Sequence, residues 1–447
     1  MLFENNYFED LRKKEFSRLD AENQVYLDFT GGNLYPESLI HQHSEILLKN
    51  VMGNPHSTNP TSQKSSVWAE NTRKKVLEFF NAEDYFCIFT QNASHALKIV
   101  GESYPFSENS YFLMLSDNHN SVNGIREFCQ NKNGEFSYFP INFTDLRIDE
   151  KELKKVLKSK NSFKDKLFAI PAQSNVSGVK HDLKWIQIAQ QNGWDVLLDA
   201  AAFVPTNILD LKLYQPDFVS VSFYKMFGFP TGIGCLFVRK DKFEKLKKPW
   251  FAGGTVKMVS VKEPKFFLAN NHERFEDGTL DYLNIPAVKL GLEFLEDVEM
   301  EKISQRIADL RKYVYQKLSV LKHGNGKSLV HLFGPENHQN VGGTLIITFY
   351  NKNGEKYLFE EIEKEANLKN ISIRSGCFCN PGIDEINNEI SEEELARYYQ
   401  NSNNVNFSEM VDFLGKMRGA TRVSFGIATV KQDIDYFVEF VSQFVDR

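Results

Sequence analysis

The chain has few cysteines, no long apolar run and no excess of positive charge. Five cysteines in 447 residues are few and odd in number for a disulfide framework, which favours a reducing compartment. The net charge is −6 with both signs interspersed, so a nucleic-acid partner is not expected. An apolar run of about 18 residues, long enough to span a membrane, is missing. The N-terminus is acidic and lacks an export signal, so we predict a cytoplasmic protein without a membrane partner.

Several cofactor and metal motifs are missing as well. No Gly-x-Gly-x-x-Gly follows a strand-like run, so a nicotinamide or flavin fingerprint is absent. Cys377 and Cys379 form a single Cys-x-Cys pair without a second pair, and no His-Glu-x-x-His occurs. We therefore predict no metal site.

The length and the apolar pattern favour a large α/β domain followed by a smaller α+β domain. Strand-like runs alternate with segments long enough for helices, which indicates a mainly parallel sheet. The runs cover residues 86–89, 111–115, 167–170, 195–198, 218–223 and 234–238. Residues 70–80 have the spacing of an amphipathic helix. We predict an N-terminal segment at 1–45, a large domain at 46–285 and a small domain at 286–447.

The predicted small domain has its own pattern. A long helical stretch covers residues 286–318, a strand follows at 342–350, and Ser391 with Glu394 has the spacing of a capping box. Residues 383–406 are acidic, rich in asparagine and poor in apolar side chains. We interpret them as an excursion over the surface.

Polar groups follow five of the strand-like runs. Each has an ordinary structural explanation, because lysines after strands are usually solvated, and aspartates and serines often cap helices. Together, however, they can hold a phosphate, an aromatic ring, a phenolate oxygen, a ring nitrogen and an aldehyde carbon, which is the set that pyridoxal phosphate requires. In chain order the five residues are Ser94, His119, Asn175, Asp199 and Lys225.

These residues lie in segments that resemble the fold-type I pyridoxal-phosphate enzymes of aminotransferase class V. Within that class the chain is similar to cysteine desulfurases, and above all to the N-terminal desulfurase-like domain of molybdenum cofactor sulfurases. The resembling segments follow the family order over almost the whole chain, at 11–19, 25–32, 53–57, 171–175, 199–204, 222–232, 251–255, 374–381 and 422–426. The resemblance implies a large domain with a seven-stranded, mainly parallel sheet, and a small C-terminal domain that carries a cysteine loop.

The resemblance also implies roles at the cofactor. Lys225 would bind the cofactor aldehyde as a Schiff base and then move the substrate Cα proton, and Asp199 would pair with the ring nitrogen. His119 would stack on the ring, and Asn175 would bond the phenolic oxygen. The phosphate would be held by Ala93, Ser94, Ser222 and Tyr224, together with Thr255 from across a dimer interface.

Substrate and sulfur would be bound by other residues. Arg422 would bind the substrate carboxylate, with Asn175 and Arg374 as further substrate-binding residues. Alignment on Arg374-Ser-Gly places the reactive cysteine of desulfurases at Cys379, and Cys377 is the second choice. The remaining three cysteines lie in apolar runs or a helix and are expected to be inert: Cys87, Cys129 and Cys235.

The expected function is a homodimeric cysteine desulfurase that converts L-cysteine to L-alanine and leaves the sulfur as a persulfide on Cys379. The residues leave open another class V enzyme that does not use this thiol, such as an aminotransferase, a selenocysteine lyase or a C–S lyase. A scaffold without activity is disfavoured, because it would need neither Lys225 nor Asp199.

Three departures from the family pattern stand out. Ala202 replaces the glutamine that many desulfurases place three residues after the cofactor aspartate, and Ile383 begins a segment that lacks a further cysteine. The sequence ends at Arg447, soon after the Arg422 motif. We therefore expect a separate protein to accept the sulfur.

Overall fold

Strands and helices alternate through most of the computed structural model, which describes residues 6–401, 407–416 and 418–447. The strands are β1 Val25–Tyr26, β2 Tyr85–Thr90, β3 Ser110–Leu115, β4 Glu135–Phe139, β5 Asp165–Pro171, β6 Asp195–Asp199, β7 Phe218–Ser222, β8 Gly234–Arg239, β9 Val256–Ser260, β10 Lys265–Leu268, β11 Val330–Phe333, β12 Thr344–Phe349, β13 Ile371–Ser372, β14 Arg374–Gly376 and β15 Ala420–Ser424.

The helices surround these strands. They are α1 Tyr7–Glu15, α2 Arg18–Ala21, α3 Glu37–Lys49, α4 Pro60–Phe79, α5 Ala93–Ser103, α6 Asn120–Asn123, α7 Ile125–Gln130, α8 Glu150–Ser159, α9 Lys184–Gln191, α10 Tyr224–Phe227, α11 Ile285–Val298, α12 Met300–Leu318, α13 Phe359–Asn367, α14 Pro381–Asn387, α15 Glu392–Asn401, α16 Phe407–Leu414 and α17 Lys431–Ser442. Short 3₁₀ helices cover Lys240–Lys245 and His272–Phe275.

The predicted seven-stranded sheet is confirmed, in the order β2-β8-β7-β6-β5-β3-β4. All neighbouring pairs are parallel except those of β8, which is antiparallel to both β2 and β7. Strands β3, β6 and β7 are buried along their whole length, as expected for a sheet covered by helices on both faces. Sequence reasoning missed β4, because an edge strand with one buried residue in five lacks a continuous apolar run.

Helix α4 contains residues 70–79 of the amphipathic segment predicted at 70–80 and begins ten residues before that segment. Asn59 caps it by accepting a hydrogen bond from the Ser62 N–H at 3.0 Å, and Pro60 occupies the first turn, where its missing N–H costs nothing. Its buried side includes Ala69 and Val76, and the helix packs against α11.

A four-stranded antiparallel sheet follows in the chain, in the order β11-β12-β15-β14. The N-terminal segment joins this part of the fold, because β1 pairs in parallel with β13. Arg12 of α1 also donates to Asp433 of α17 at 2.7 Å. One hydrophobic core includes residues of both large sheets. The division into domains at 45 and 285 stays a prediction.

The structure corrects two predicted segments. Residues 286–318 are not one helix, because Glu299 has a φ of +71° and separates α11 from α12. The segment 383–406 does not begin at the surface, since Ile383 and Asp384 of α14 are buried. Its residues 402–406 lie outside the described part of the chain. The capping box is present: Ser391 N–H donates to Glu394 Oε2 at 2.8 Å, and Glu394 N–H to Ser391 Oγ at 3.2 Å.

Within the described ranges, every helix is too short or too polar to cross a membrane.

A buried ion pair links α4 to strand β2 and to the segment before α11. Arg73 donates to both carboxylate oxygens of Glu276, at 2.7 and 3.2 Å, and to the Cys87 carbonyl at 2.6 Å. Glu276 also accepts the Phe89 N–H at 2.7 Å. The Arg73–Glu276 pair therefore satisfies the Cys87 carbonyl and the Phe89 N–H of β2, the strand that leads into the candidate site.

We predict that Glu276→Gln lowers the free energy of unfolding by about 3 kcal/mol, because it leaves the buried Arg73 charge paired only with the more exposed Glu70 carboxylate, at 3.2 Å. Urea unfolding followed by circular dichroism measures this change. Glu296→Gln is the control, since it removes the partner of Lys75 at a more exposed position and should cost under about 1 kcal/mol. Equal stability of the Glu276 variant and the unmodified protein would contradict the prediction.

Candidate functional site

A cavity of about 160 Å³ lies at the carboxyl edge of the seven-stranded sheet. Parallel strands end at the same edge, so the turns that follow them converge there. The lining residues come from the turns after β2, β3, β5, β6 and β7: Asn92, Ala93, Ser94, Leu97, His119, Ser121, Pro171, Gln173, Asn175, Asp199, Ala201, Ala202, Ser222, Tyr224 and Lys225. The five polar residues predicted from strand ends are thus brought together, with Ala93, Ser222 and Tyr224 beside them.

Lys225 lies in α10, a single helical turn directly after β7. Gly228 ends this turn with a φ of +79°, and a Cβ there would lie 2.3 Å from the Tyr35 nitrogen, so only glycine fits. Burial lowers the pKa of Lys225; the Asp199 carboxylate opposes this shift, and Arg422 adds to it. A lowered pKa increases the fraction of neutral amine, which is the form that attacks a carbonyl.

Asp199 is the last residue of β6 and is buried. Its Oδ1 accepts hydrogen bonds from Ser220 Oγ at 3.0 Å and from the Ala201 N–H at 3.1 Å. Both hydrogen bonds that the described part of the chain makes to this carboxylate use Oδ1. Oδ2 therefore keeps its capacity to accept a proton-bearing nitrogen within the cavity.

His119 caps α6 with its ring. Its Nδ1 accepts the Ser121 N–H at 3.1 Å and lies 3.1 Å from Ser121 Oγ, so the neutral ring carries its proton on Nε2. Burial lowers the pKa of His119, an effect that Asp199 opposes and that Lys225 and Arg422 increase. The ring is thereby favoured in its neutral form.

The N-terminus of α5 forms one end of the cavity. Asn92 caps the helix by accepting the His95 N–H at 3.0 Å, and Ser222 Oγ accepts the Ala93 N–H at 2.8 Å. The Ser94 N–H has no hydrogen-bond partner within the described residues. Ser222 Oγ keeps its own proton for donation, so this end can bind an anion through the hydroxyl, a free N–H and the helix dipole.

Tyr224 contributes a neutral hydroxyl to the cavity wall. Burial raises the pKa of Tyr224, an effect that Arg374 opposes and Asp28 increases. The phenol therefore stays protonated and can donate a hydrogen bond.

Asn175 makes contacts in the structure that the sequence did not predict. Its amide donates to the Phe378 carbonyl at 2.9 Å and accepts from Asn380 Nδ2 at 3.0 Å. Asn380 also donates to the Asp117 carbonyl at 2.7 Å. Asn175 therefore fastens the cysteine loop to the cavity wall, and its contact with a phenolic oxygen stays a prediction.

The two arginines predicted to bind substrate share one carboxylate. Arg422 Nη2 donates to Asp28 Oδ1 at 2.6 Å, and Arg374 Nε donates to Asp28 Oδ2 at 2.8 Å. Arg422 Nη1 reaches the carbonyl of Asn175 at 2.9 Å. Neither arginine lines the cavity itself, but Arg422 contacts it through the lining residue Asn175.

The thiols of the cysteine loop are in different environments. Cys379 is exposed and Cys377 is half-buried. Burial, with Asp384 as hydrogen-bond partner, raises the pKa of Cys377 to about 12, against the opposing charge of Arg418. Cys87, Cys129 and Cys235 are buried in the core. Of the loop thiols, Cys379 is the accessible one.

Two further residues named in the sequence analysis, Thr255 and Ala202, differ in whether they reach the cavity. Thr255 is buried in its own chain, where its hydroxyl lies 2.9 Å from both the N and O atoms of Ala252. It does not line the cavity, so its role across an interface stays a prediction. Ala202 does line the cavity, and the amide of Gln173 lies on the same wall.

Sequence reasoning missed Asp28, Ser121 and Asn380. Asp28 and Asn380 lie inside segments that resemble the family. Their roles depend on contacts with residues far away in the chain, which the sequence does not show. Ser121 follows His119 by two residues, and the spacing of an ST turn could have indicated it. No cluster of three or more potential metal ligands occurs in the described part of the chain.

The donor set fits pyridoxal phosphate. A half-buried amine, a carboxylate with a free oxygen and a helix N-terminus with two serine hydroxyls surround one cavity. These are the groups that the aldehyde, ring nitrogen and phosphate of this cofactor need.

Comparison with known proteins gives the family. The model of the aminotransferase class-V family matches residues 25–437. The molybdenum cofactor sulfurase of Arabidopsis thaliana is 36% identical over 97% of the chain, which spans 57% of that longer protein.

Solved structures share the fold. A cysteine desulfurase from Thermococcus onnurineus NA1 covers 98% of both chains with a TM-score of 0.80 at 23% identity. A variant of the C–S lyase C-DES, with glycine covalently linked to its pyridoxal phosphate, has a TM-score of 0.74 at 18% identity, and the match covers 97% of this chain and 99% of that one. The chain therefore belongs to the aminotransferase class-V family, and its cavity carries the donor set that pyridoxal phosphate requires.

Proposed function

We propose that the protein removes sulfur from L-cysteine and transfers it to Cys379. The observation that carries this proposal is an exposed cysteine on a loop that hydrogen bonds fasten to the wall of the cofactor cavity. The relatedness to molybdenum cofactor sulfurases and the fold shared with cysteine desulfurases support it.

The proposed cofactor contacts follow from the cavity. Lys225 holds the cofactor through its neutral amine, and Asp199 Oδ2 binds the ring nitrogen. Ser94, Ser222 and the N-terminus of α5 bind the phosphate. When bound, pyridoxal phosphate supplies an electron sink for the substrate carbon atoms. His119 covers the ring and, as a neutral imidazole, holds a proton on Nε2.

The sulfur step balances as a transfer between two thiols. Cys379 as thiolate attacks the sulfur of the bound cysteine, the Cβ–S bond breaks, and an S–S bond forms. The carbon skeleton takes up protons and leaves as L-alanine, so L-cysteine and one enzyme thiol give L-alanine and one enzyme persulfide. Lys225 moves the proton at Cα.

We also propose that a separate protein accepts the sulfur and that the enzyme is a homodimer. The exposure of Cys379 would let such a protein reach the persulfide. A homodimer is supported by exposed apolar side chains on the β9–β10 hairpin, among them Met258, Val261 and Phe267.

We predict that Lys225→Ala and Cys379→Ala separate cofactor chemistry from sulfur transfer. Lys225→Ala should lose the absorbance of the covalently held cofactor and all turnover of L-cysteine. Cys379→Ala should keep that absorbance but form L-alanine at least about 100-fold more slowly, since the sulfur lacks its acceptor. Alanine, sulfide and pyruvate are quantified after incubation with L-cysteine.

Cys87→Ala is the matched control, because it removes a buried thiol and should leave the rate of alanine formation near that of the unmodified protein. Alanine formation that survives in Cys379→Ala would contradict the persulfide mechanism. Pyruvate and ammonia in place of alanine would show a C–S lyase.

We further predict that Cys379 reacts with iodoacetamide at least about tenfold faster than Cys377, because the thiolate is the reacting form. With a pKa of about 12, only about one Cys377 thiol in ten thousand is ionised at about pH 8. Timed alkylation followed by fragment-ion mass spectrometry resolves the two positions. In Cys379→Ser, alkylation of Cys377 should stay slow. Equal labelling of both thiols in the unmodified protein would make Cys377 a candidate sulfur acceptor again.

A further inference from the structure

The two substrate-binding arginines lie directly opposite each other in the small sheet. Arg374 of β14 and Arg422 of β15 are paired residues of an antiparallel ladder. Side chains of such a pair point to the same face, about 5 Å apart at Cβ, and like charges there repel. Arg422 is 2% exposed, so water does little to screen its charge.

Asp28 lies between the two guanidinium groups and bonds to both. Its Oδ1 accepts Arg422 Nη2 at 2.6 Å, and its Oδ2 accepts Arg374 Nε and Nη2, each at 2.8 Å. The three side chains form a cluster with two positive charges and one negative charge. The cluster therefore has a net charge of +1, which one further carboxylate would neutralise.

The backbone fixes the position of Asp28. It pairs with Ser424 in a parallel bridge, and the Ser424 N–H donates to the Leu27 carbonyl at 2.8 Å. The carboxylate folds over Gly31, where a Cβ would lie 2.4 Å from Asp28 Oδ2. Asp28 is thus held against the arginines by the chain on both sides.

The cluster still has N–H groups for an incoming anion. Arg374 is about half exposed, with its side chain 51% accessible, and its charge acts on Tyr224, which lines the cavity. Arg422 Nε is buried without a hydrogen-bond partner within the described residues. Neighbouring Tyr26 stays uncharged, because burial, with Asp28 adding to it, raises its pKa to about 12.

We propose that Asp28 is a specificity-determining residue that neutralises one of the two arginines. The cluster then accepts substrates with one carboxylate, such as L-cysteine, and disfavours those with two. This inference rests on the proposed function and on the prediction from the sequence that Arg422 receives the substrate carboxylate. Asp28 acts through the arginines and does not touch the reacting atoms.

The test compares the binding of propionate and malonate to the holoenzyme by isothermal titration calorimetry at low ionic strength and about pH 8. Both acids have three carbon atoms and no amine, so neither reacts with the cofactor, and they differ by one carboxylate. In Asp28→Asn we expect the affinity for malonate relative to propionate to rise at least about tenfold over that of the unmodified protein, because the cluster gains one net positive charge.

Two further variants test independently whether the net charge of the cluster determines its affinity for propionate. Arg374→Gln leaves one arginine and Asp28, a net charge of zero, and should weaken propionate binding at least about tenfold. The double variant Asp28→Asn with Arg374→Gln restores +1 and should recover propionate binding to within about threefold of the unmodified protein. A residue with a merely structural role would not produce such a recovery.

Asp433→Asn is the matched control, since it removes a buried carboxylate from the Arg12 ion pair at 2.7 Å and should leave the malonate-to-propionate ratio unchanged. A ratio shift below about threefold in Asp28→Asn, an equal shift in the control, or no recovery in the double variant would overturn the inference. If Asp28→Asn does not fold, Arg374→Gln decides: propionate affinity within about threefold of that of the unmodified protein would overturn the inference.

These measurements are independent of sulfur transfer. Binding of propionate with the expected shifts, in a protein that forms no alanine, would keep the role of Asp28 and reject the desulfurase. If the unmodified protein binds neither acid, the carboxylate-binding role of the arginines and the inference both fail, whatever the cysteine assay shows.

Discussion

The candidate site depends on the common edge at which the parallel strands of the large sheet end. Strands β2, β3, β5, β6 and β7 each leave this edge through a turn that carries one or more polar groups. No single turn holds enough groups to bind a cofactor. The sheet brings them within one cavity, because its hydrogen bonds fix the strands at a spacing of about 4.8 Å. Reactive groups are thus placed by the most buried and least adjustable part of the fold.

The small sheet and the loop after β14 add two guanidinium groups and an exposed thiol to the site. The cysteine loop joins the cavity through Asn380, which donates to both Asn175 and the Asp117 carbonyl, and through the Cys379 carbonyl, which accepts the Asn120 N–H at 2.7 Å. Phe378 and Cys379 both have a φ near +55°, a conformation that costs non-glycine residues about 1–3 kcal/mol each. These hydrogen bonds hold the loop in that conformation beside the cavity.

Much of the site could be predicted, because its residues follow apolar runs that local patterning reveals. Asp199 and Lys225 were placed at strand ends by the sequence alone, and both line the cavity. Asp28 was not assigned a role, because its two partners lie 346 and 394 residues away, in short strands with little sequence signal of their own. The break at Glu299 was missed for a similar reason: apolar periodicity continues across it, and only the positive φ shows that the helix ends.

The two carboxylates of the site differ in what surrounds them. Asp199 is bonded by a hydroxyl and a backbone N–H, both through Oδ1, so its charge remains available to a cationic nitrogen inside the cavity. Asp28 is bonded by two guanidinium groups through both oxygens, so its charge is already matched. An amino-acid substrate carries one group of each sign, a carboxylate and an amine. With Asp28 neutralising one arginine, the remaining positive charge lies at the arginine edge of the site, while Asp199 provides negative charge near Lys225. In the proposed function this remaining positive charge receives the substrate carboxylate, so the substrate would bind with that group towards the small sheet.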